Sequence, residues 1–380
     1  MLRIKLLPAL LMLGALPALS QTHTDDSIRM NQIQVIGSHN SYHAGFAPSE
    51  AKYWKQQKPE MYRHLDYHHP PLPQQFDEGI RQIEIDTFAD MKGGRYAHPA
   101  GLALVQKAGL PSDPPFDPNG VMLKPGFKVM HVQDVDYRSV CQPFTECLRQ
   151  VRSWSRSHPD HIPIFVIIET KQDNPAPGKL INDEPYTAAT WDALDAAIRS
   201  VFPANELITP DDVRGSYATL NEAIRKHGWP TLAKARGKVI FLMDQRNVEQ
   251  AYLAGHPSLR GRVLFTNAAP GAPDAAFTEV NDVDVSKIQP LVREGYLVRT
   301  RTDADTEEAR ANDTRHRTEA MESGAQILST DYWKAEPASW TGYSVGFKSG
   351  TVARCNPVDA PSTCTDSGLE PQPSQAALAH

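Results

Sequence analysis

Four short apolar runs in this chain stop abruptly at ionisable side chains, and that pattern limits the fold more than any other feature. Ile33 to Ile36 leads into Gly37-Ser38-His39-Asn40-Ser41-Tyr42-His43. Gln82-Ile83-Glu84-Ile85-Asp86-Thr87 delivers two carboxylates and Lys128-Val129-Met130-His131 an imidazole. Ile164 to Ile168 ends in Glu169-Thr170-Lys171. Runs that are apolar on both faces read as parallel strands covered on both sides. An α/β barrel gathers the C-terminal ends of such strands around its active site.

The rest of the chain keeps the rhythm. Strand candidates fall at 32–37, 82–87, 128–132, 164–169, 239–243, 263–266, 295–300 and 325–330. Between them lie helical patterns: Trp191, Leu194, Ile198 and Val201 recur at helical spacing, and 305–323 is a charged helical segment stopped by Gly324. Eight strands with helical crossovers predict an α/β fold, a (β/α)8 TIM barrel. An open doubly wound sheet is the alternative, but no glycine-rich phosphate loop follows the first strand. Residues 44–75 and 88–127 are long, Pro- and aromatic-rich and without clear periodicity, so they read as active-site loops walling the mouth.

Met1 to Ser20 reads as a cleaved signal peptide: Arg3 and Lys5, an apolar stretch from Leu6 to Leu16, then Ala18-Leu19-Ser20. With Pro8 and Pro17 it is too short for the ~20 residues of a membrane span. The chain is therefore expected to be exported, periplasmic or secreted, with residues 21–335 forming one catalytic domain and 336–380 a C-terminal extension of that domain. Trp340, Tyr343 and Phe347 should pack on the barrel, and 365–380 should fray. A net charge of −6 without a basic stripe argues against nucleic acid. Membrane contact would be peripheral. Trp54, Tyr53, Tyr62 and Phe116 in the long loops are suited either to insertion or to packing.

In an exported chain the close pairs Cys141, Cys147 and Cys355, Cys364 favour two local disulfides among the three connectivities four cysteines allow. A metal site is the rival reading, but neither spacing is CxxC and no paired histidines accompany the cysteines.

Glu84 and Asp86 alternate along one strand and so share a face. Side by side they repel unless a cation binds or one takes a proton. An isolated Glu-x-Asp at a strand end is usually just solvated. With Asn40 and Glu169 added, the set is all oxygen, suited to Ca2+ or Mg2+ rather than zinc. His39 and His131 are candidates for acid–base work beside such a cation, although a lone strand-end histidine is more often a packing residue. The other twelve histidines receive no role. Lys171 shares the face of Glu169.

The set Ser38-His39-Asn40-Ser41-Tyr42, Glu84-x-Asp86, His131 and Glu169 resembles the calcium-dependent phosphoinositide-specific phospholipase C family, nearest its exported single-domain bacterial and fungal members. The likeness is specific over 32–171 and rests on barrel periodicity from 239 to 333. It implies Ca2+ (Mg2+ as the weaker choice) held by Asn40, Glu84, Asp86 and Glu169. It implies a phospholipid headgroup, phosphatidylinositol, as substrate. His39 would stabilise charge on the phosphorus, His131 would protonate the leaving diacylglycerol oxygen, and Lys171 and Arg301 would meet phosphate. Glycerophosphodiester phosphodiesterases are similar in their Glu-x-Lys, but Asn40 directly after His39 and the Glu-x-Asp spacing favour the phospholipase pattern. A barrel that binds a headgroup without turnover is the third reading, and the presence of both histidines weighs against it.

Overall fold

The computed structural model describes residues 25–172 and 181–370. The proposed leader, 1–20, lies outside them. Ten strands form one sheet: β1 (Ile33–Ser38), β2 (Gln82–Phe88), β3 (Ile164–Lys171), β4 (Leu207–Ile208), β5 (Val239–Met243), β6 (Leu264–Phe265), β7 (Phe277–Glu279), β8 (Leu297–Arg301), β9 (Ile327–Thr330) and β10 (Ala353–Cys355). The order is β4-β5-β3-β2-β1-β9-β8-β7, with β6 beside β5 and β10 antiparallel to β1. All other ladders are parallel. β1, β2 and β5 are buried along their whole length, as two-sided apolar runs require. The result is a curled parallel sheet in a mixed α/β fold. Its ladders stop short of a closed ring, because β6 and β7 are joined only by a single bridge, Asn267 to Phe277.

Two strand expectations need correction. Residues 128–132 are not a sheet strand, because β2 pairs directly with β3 from Gln82↔Phe165 to Phe88↔Lys171 and leaves no slot between them. Lys128 instead makes an antiparallel bridge to Phe88, and its buried ammonium lies 3.3 Å from Asp90. The strands missed by sequence are β4, β7 and β10, each only two or three residues long, and Phe-Thr-Glu of β7 is also too polar to stand out. The 305–323 segment also breaks in two, Glu307–Ala311 and Arg315–Ser323, at Asn312 in the left-handed region (φ 52°). The long loops hold short helices, Pro48–Gln57, Pro59–His64, Leu72–Asp77 and Ala100–Lys107. Proline at the first or second helical position starts the first three, and none is long enough to show a period.

One apolar cluster runs from Ile28 to Leu369 and includes Tyr343 and Phe347 of the C-terminal extension, while Trp340 stays 38% exposed. Cys141 is bonded to Cys147 and Cys355 to Cys364. Residues 365–370 do not show the expected fraying, and 371–380 lie outside the described residues. Asp366–Leu369 is a helical turn, and Glu370 receives the fully buried Arg81 side chain through Nε (3.0 Å) and Nη2, while Ile162 N donates to Glu370 at 2.9 Å. Truncating one partner strands a buried charge, so Glu370→Ala should lower stability by about 3–5 kcal/mol, read as the midpoint of urea unfolding. A loss under ~1 kcal/mol would mean the tail is not anchored there.

Candidate active site

The turn after β1 is stitched to β2. Ser41 N donates to Glu84 O (3.0 Å), Glu84 N donates to Ser41 Oγ (2.8 Å), and Ser38 Oγ donates to Gln75 Oε1 (2.7 Å). Gly37 is required by this close approach, since a Cβ there would lie 1.8 Å from Gln82 Oε1. Asn40 sits at φ 45°, a conformation Asn tolerates better than most residues. Its Nδ2 donates to Tyr67 Oη (2.8 Å), and its Oδ1 accepts the Tyr42 hydroxyl (3.3 Å).

Register aligns Asp86 with Glu169 on neighbouring strands, and alternation brings Glu84 to the same face. Oxygens of Glu84, Asp86 and Glu169 lie within 4.8 Å of one another, the one such cluster among the described residues. Lys171 Nζ lies 2.8 Å from Asp86 Oδ2 and 2.6 Å from Glu169 Oε1. Asp86 Oδ1, fully buried, accepts no hydrogen bond. Arg299 Nη2 donates to Glu84 Oε2 (2.7 Å) and leaves Oε1 facing His39, 3.7 Å from Nε2.

These environments move the titrations. Burial pushes Glu84 up to about 7 against the pull of Arg299. Burial, then the Glu169 charge, raises Asp86 well above the carboxylate range. Burial pushes Glu169 up, but the charge and hydrogen bond of Lys171, together with His131 and His39, hold it below its ordinary value. Burial, then Arg301, brings His39 down to about 3, and burial also lowers His131. Carboxylates held back from ionising by burial and by one another's charge are suited to receive a cation. Three carboxylates, a carboxamide oxygen and no thiolate, with a buried carboxylate oxygen lacking any donor, fit a hard cation.

Each histidine has a carboxylate behind it. His39 Nδ1 lies 2.8 Å from Asp331 Oδ1, and His131 Nδ1 lies 3.0 Å from Asp136 Oδ2. Both leave Nε2 for the site.

The sequence model for "Phosphoinositide phospholipase C, Ca2+-dependent" matches residues 28–357. The chain belongs to the Ca2+-dependent phosphoinositide phospholipase C family. Its members are phosphodiesterases that require calcium, and the acidic cluster gives this phospholipase C chain residues able to hold it. Solved structures share its fold at low identity. The calcium-dependent phosphoinositol-specific phospholipase C of a Gram-negative Pseudomonas sp is 14% identical with TM-score 0.53, covering 88% of this chain and 97% of that one. The Ca2+-dependent phosphatidylinositol-specific phospholipase C of Streptomyces antibioticus is 20% identical with TM-score 0.50, covering 80% and 95%. A second Pseudomonas structure, a myoinositol complex, is 16% identical with TM-score 0.50, covering 84% and 95%. No curated protein sequence matches the chain.

Of the sequence-predicted residues, Glu84, Asp86, Glu169, Lys171 and His39 lie together, while Asn40 sits in the turn after β1 against Tyr42 and Tyr67. Arg301, at the end of β8, lies 3.5 Å from Asp331 and 3.3 Å from His39 Nδ1, so it borders the His39 side. His131 reaches the site from a loop instead of a strand end. Of the aromatic loop residues, Trp54 is buried and so packs. Sequence reasoning missed Arg299, Asp136, Asp331 and the buried His43 and His69. A partial signal for Asp331 was present: the strand candidate at 325–330, with Ile327 and Leu328 at its centre, ends directly before this charge.

Proposed function

We propose that the chain cleaves the glycerol–phosphate bond of phosphatidylinositol, giving diacylglycerol and an inositol phosphate that passes through the 1,2-cyclic form. The observation that carries this is the cluster of Glu84, Asp86 and Glu169 with His39 and His131 beside it. The myoinositol complex of the Pseudomonas relative supports an inositol ring as headgroup.

Asn40, Glu84, Asp86 and Glu169 would hold Ca2+, which when bound supplies positive charge at a phosphoryl oxygen and acidifies the inositol 2-hydroxyl. That hydroxyl attacks phosphorus and gives its proton to a carboxylate. Glu84 or Glu169 is that base: each commits one oxygen to a cation, Glu84 to Arg299 and Glu169 to Lys171, and keeps the other. His39, backed by Asp331, stabilises charge on the phosphorane. As the phosphorus–oxygen bond breaks, His131 Nε2 gives a proton to the leaving glycerol oxygen. Lys171 and Arg301 meet phosphate oxygens.

In this reading the eight parallel strands β1, β2, β3, β5, β6, β7, β8 and β9 form a closed (β/α)8 barrel with its seam at Asn267–Phe277. Residues 21–335 with the 336–380 extension then act as one exported domain after loss of 1–20. Two disulfides suit an oxidising compartment. Contact with the lipid is peripheral, and no described helix is long and apolar enough to cross a membrane.

The test is hydrolysis of phosphatidylinositol with Ca2+ and with a chelator. Calcium-dependent release of inositol 1,2-cyclic phosphate is expected. Release of glycerol 3-phosphate from a glycerophosphodiester, without lipid cleavage, would overturn the reading, as would calcium binding without turnover of either substrate.

A further inference from the structure

His43 takes no part in the chemistry above, yet it is completely buried and its ring faces the carboxylate behind His131. Its Nε2 lies 2.7 Å from Asp136 Oδ2, the same oxygen that lies 3.0 Å from His131 Nδ1. Asp136 is itself 1% exposed, while the His131 side chain is 21% exposed and opens to the site. We propose that His43 is a positioning residue for His131: it and His131 both donate to Asp136 Oδ2, which fixes the carboxylate and, through it, the imidazole that gives up the proton. The proposal rests on the reading of His131 as general acid.

Three observations carry it. First, His131 lies on no strand of the sheet, so no ladder of backbone hydrogen bonds holds it at the mouth. Its loop is a tight turn in which His131 N and Val132 N both donate to Asp136 O, at 3.1 and 2.9 Å. The turn brings Asp136 back under His131, but it leaves the carboxylate free to rotate about its own χ angles. A second donor on the far side of Oδ2 removes that freedom.

Second, His43 is tied to the opposite half of the site. It closes the turn after β1, with His43 N donating to Asn40 O at 2.8 Å, and it bridges to Ser139 beyond the acid loop. The link through Asp136 therefore sets the acid loop relative to the turn that carries His39 and Asn40.

Third, the imidazole is a poor choice for packing alone. His43 Nδ1 and Asp136 Oδ1 are both buried without a hydrogen-bond partner. A buried polar atom without a partner has lost its water and gained nothing in exchange. The ring packs against Tyr67 at 4.4 Å between centroids, a contact that phenylalanine would keep without that penalty. What phenylalanine would lose is the donor to Oδ2.

The test compares two leaving groups. Diacylglycerol leaves phosphatidylinositol as an alkoxide and needs a proton, whereas p-nitrophenol leaves its inositol phosphate ester as a stable phenolate without one. His43→Phe should lower kcat on phosphatidylinositol about 10–100-fold, the range for residues that orient a catalytic group. It should change KM little and stay within roughly threefold on the aryl ester. His43→Gln, whose amide N–H can still reach Oδ2, should recover most of the loss. Should His43→Phe melt below the assay temperature, His43→Asn, polar but too short to reach Asp136, takes its place. His131→Ala is the reference and should show the same selectivity more strongly. Equal loss on both substrates in His131→Ala would overturn the general-acid reading itself. Selectivity in His131→Ala with none in His43→Phe or His43→Asn would overturn the positioning role alone, and so would failure of His43→Gln to recover activity.

Discussion

Asp86→Asn is expected to lower kcat/KM on phosphatidylinositol by about a thousandfold or more and to move the calcium titration to higher concentration. Asp86 is the carboxylate with least reason to be there except a cation. It is wholly buried, Oδ1 has no donor, and only Lys171 offsets its charge on Oδ2. The amide is nearly isosteric, so the change removes charge and leaves shape. Stability should move the other way. Burial and then Glu169 already oppose the charge on Asp86, and Lys171 keeps Glu169 as a partner when Asp86 is gone. The thermal midpoint of Asp86→Asn in chelator should therefore match or exceed that of the parent, as happens when a site is built at the expense of stability. Activity within tenfold of the parent, with an unmoved calcium titration, would remove Asp86 from the cation site.

That opposition between function and stability is also what made part of the site legible in sequence. A buried parallel strand is normally uniform, so Glu84, Asp86, Glu169 and Lys171 stood out against Ile, Val and Phe, and alternation placed each pair on one face. β1 was legible for the same reason. His131 was assigned to the wrong element, because Lys128-Val129-Met130 is apolar enough to imitate a strand while β2 and β3 pair directly across it. β7 escaped because three residues carry no period, and with it went the eighth position in the strand order. Arg299 was missed although Arg301, two residues on, was noticed. Nothing local says that Arg299 points at Glu84, since that contact spans 215 positions in the chain. The carboxylates behind the histidines divide in the same way. Asp331 directly follows a strand candidate and obeyed in part the rule that revealed the others, whereas Asp136 depends on a turn that no spacing announces.

His39→Ala should have the second large effect, and its pattern should differ from that of Asp86→Asn. A loss of about a hundredfold to ten-thousandfold in kcat is expected, the range for a group that stabilises or relays charge at the reacting centre. The calcium titration should stay within roughly threefold of the parent, because the ring is outside the oxygen set. Asp331→Asn should reproduce part of the loss, about 10–100-fold. Asp331 accepts His39 at 2.8 Å, faces Arg301 at 3.5 Å, and is itself held by Asp303, whose Oδ1 accepts Asp331 N at 2.9 Å. The carboxamide keeps an acceptor for Nδ1 but loses the charge that balances Arg301. Measured together, the three variants separate the two halves of the site. Asp86→Asn changes the calcium response, while His39→Ala and Asp331→Asn change turnover at saturating calcium. If His39→Ala moved the calcium titration as far as Asp86→Asn does, the imidazole would belong with the cation ligands, and the charge it is assigned at phosphorus would have to come from Lys171 or Arg301.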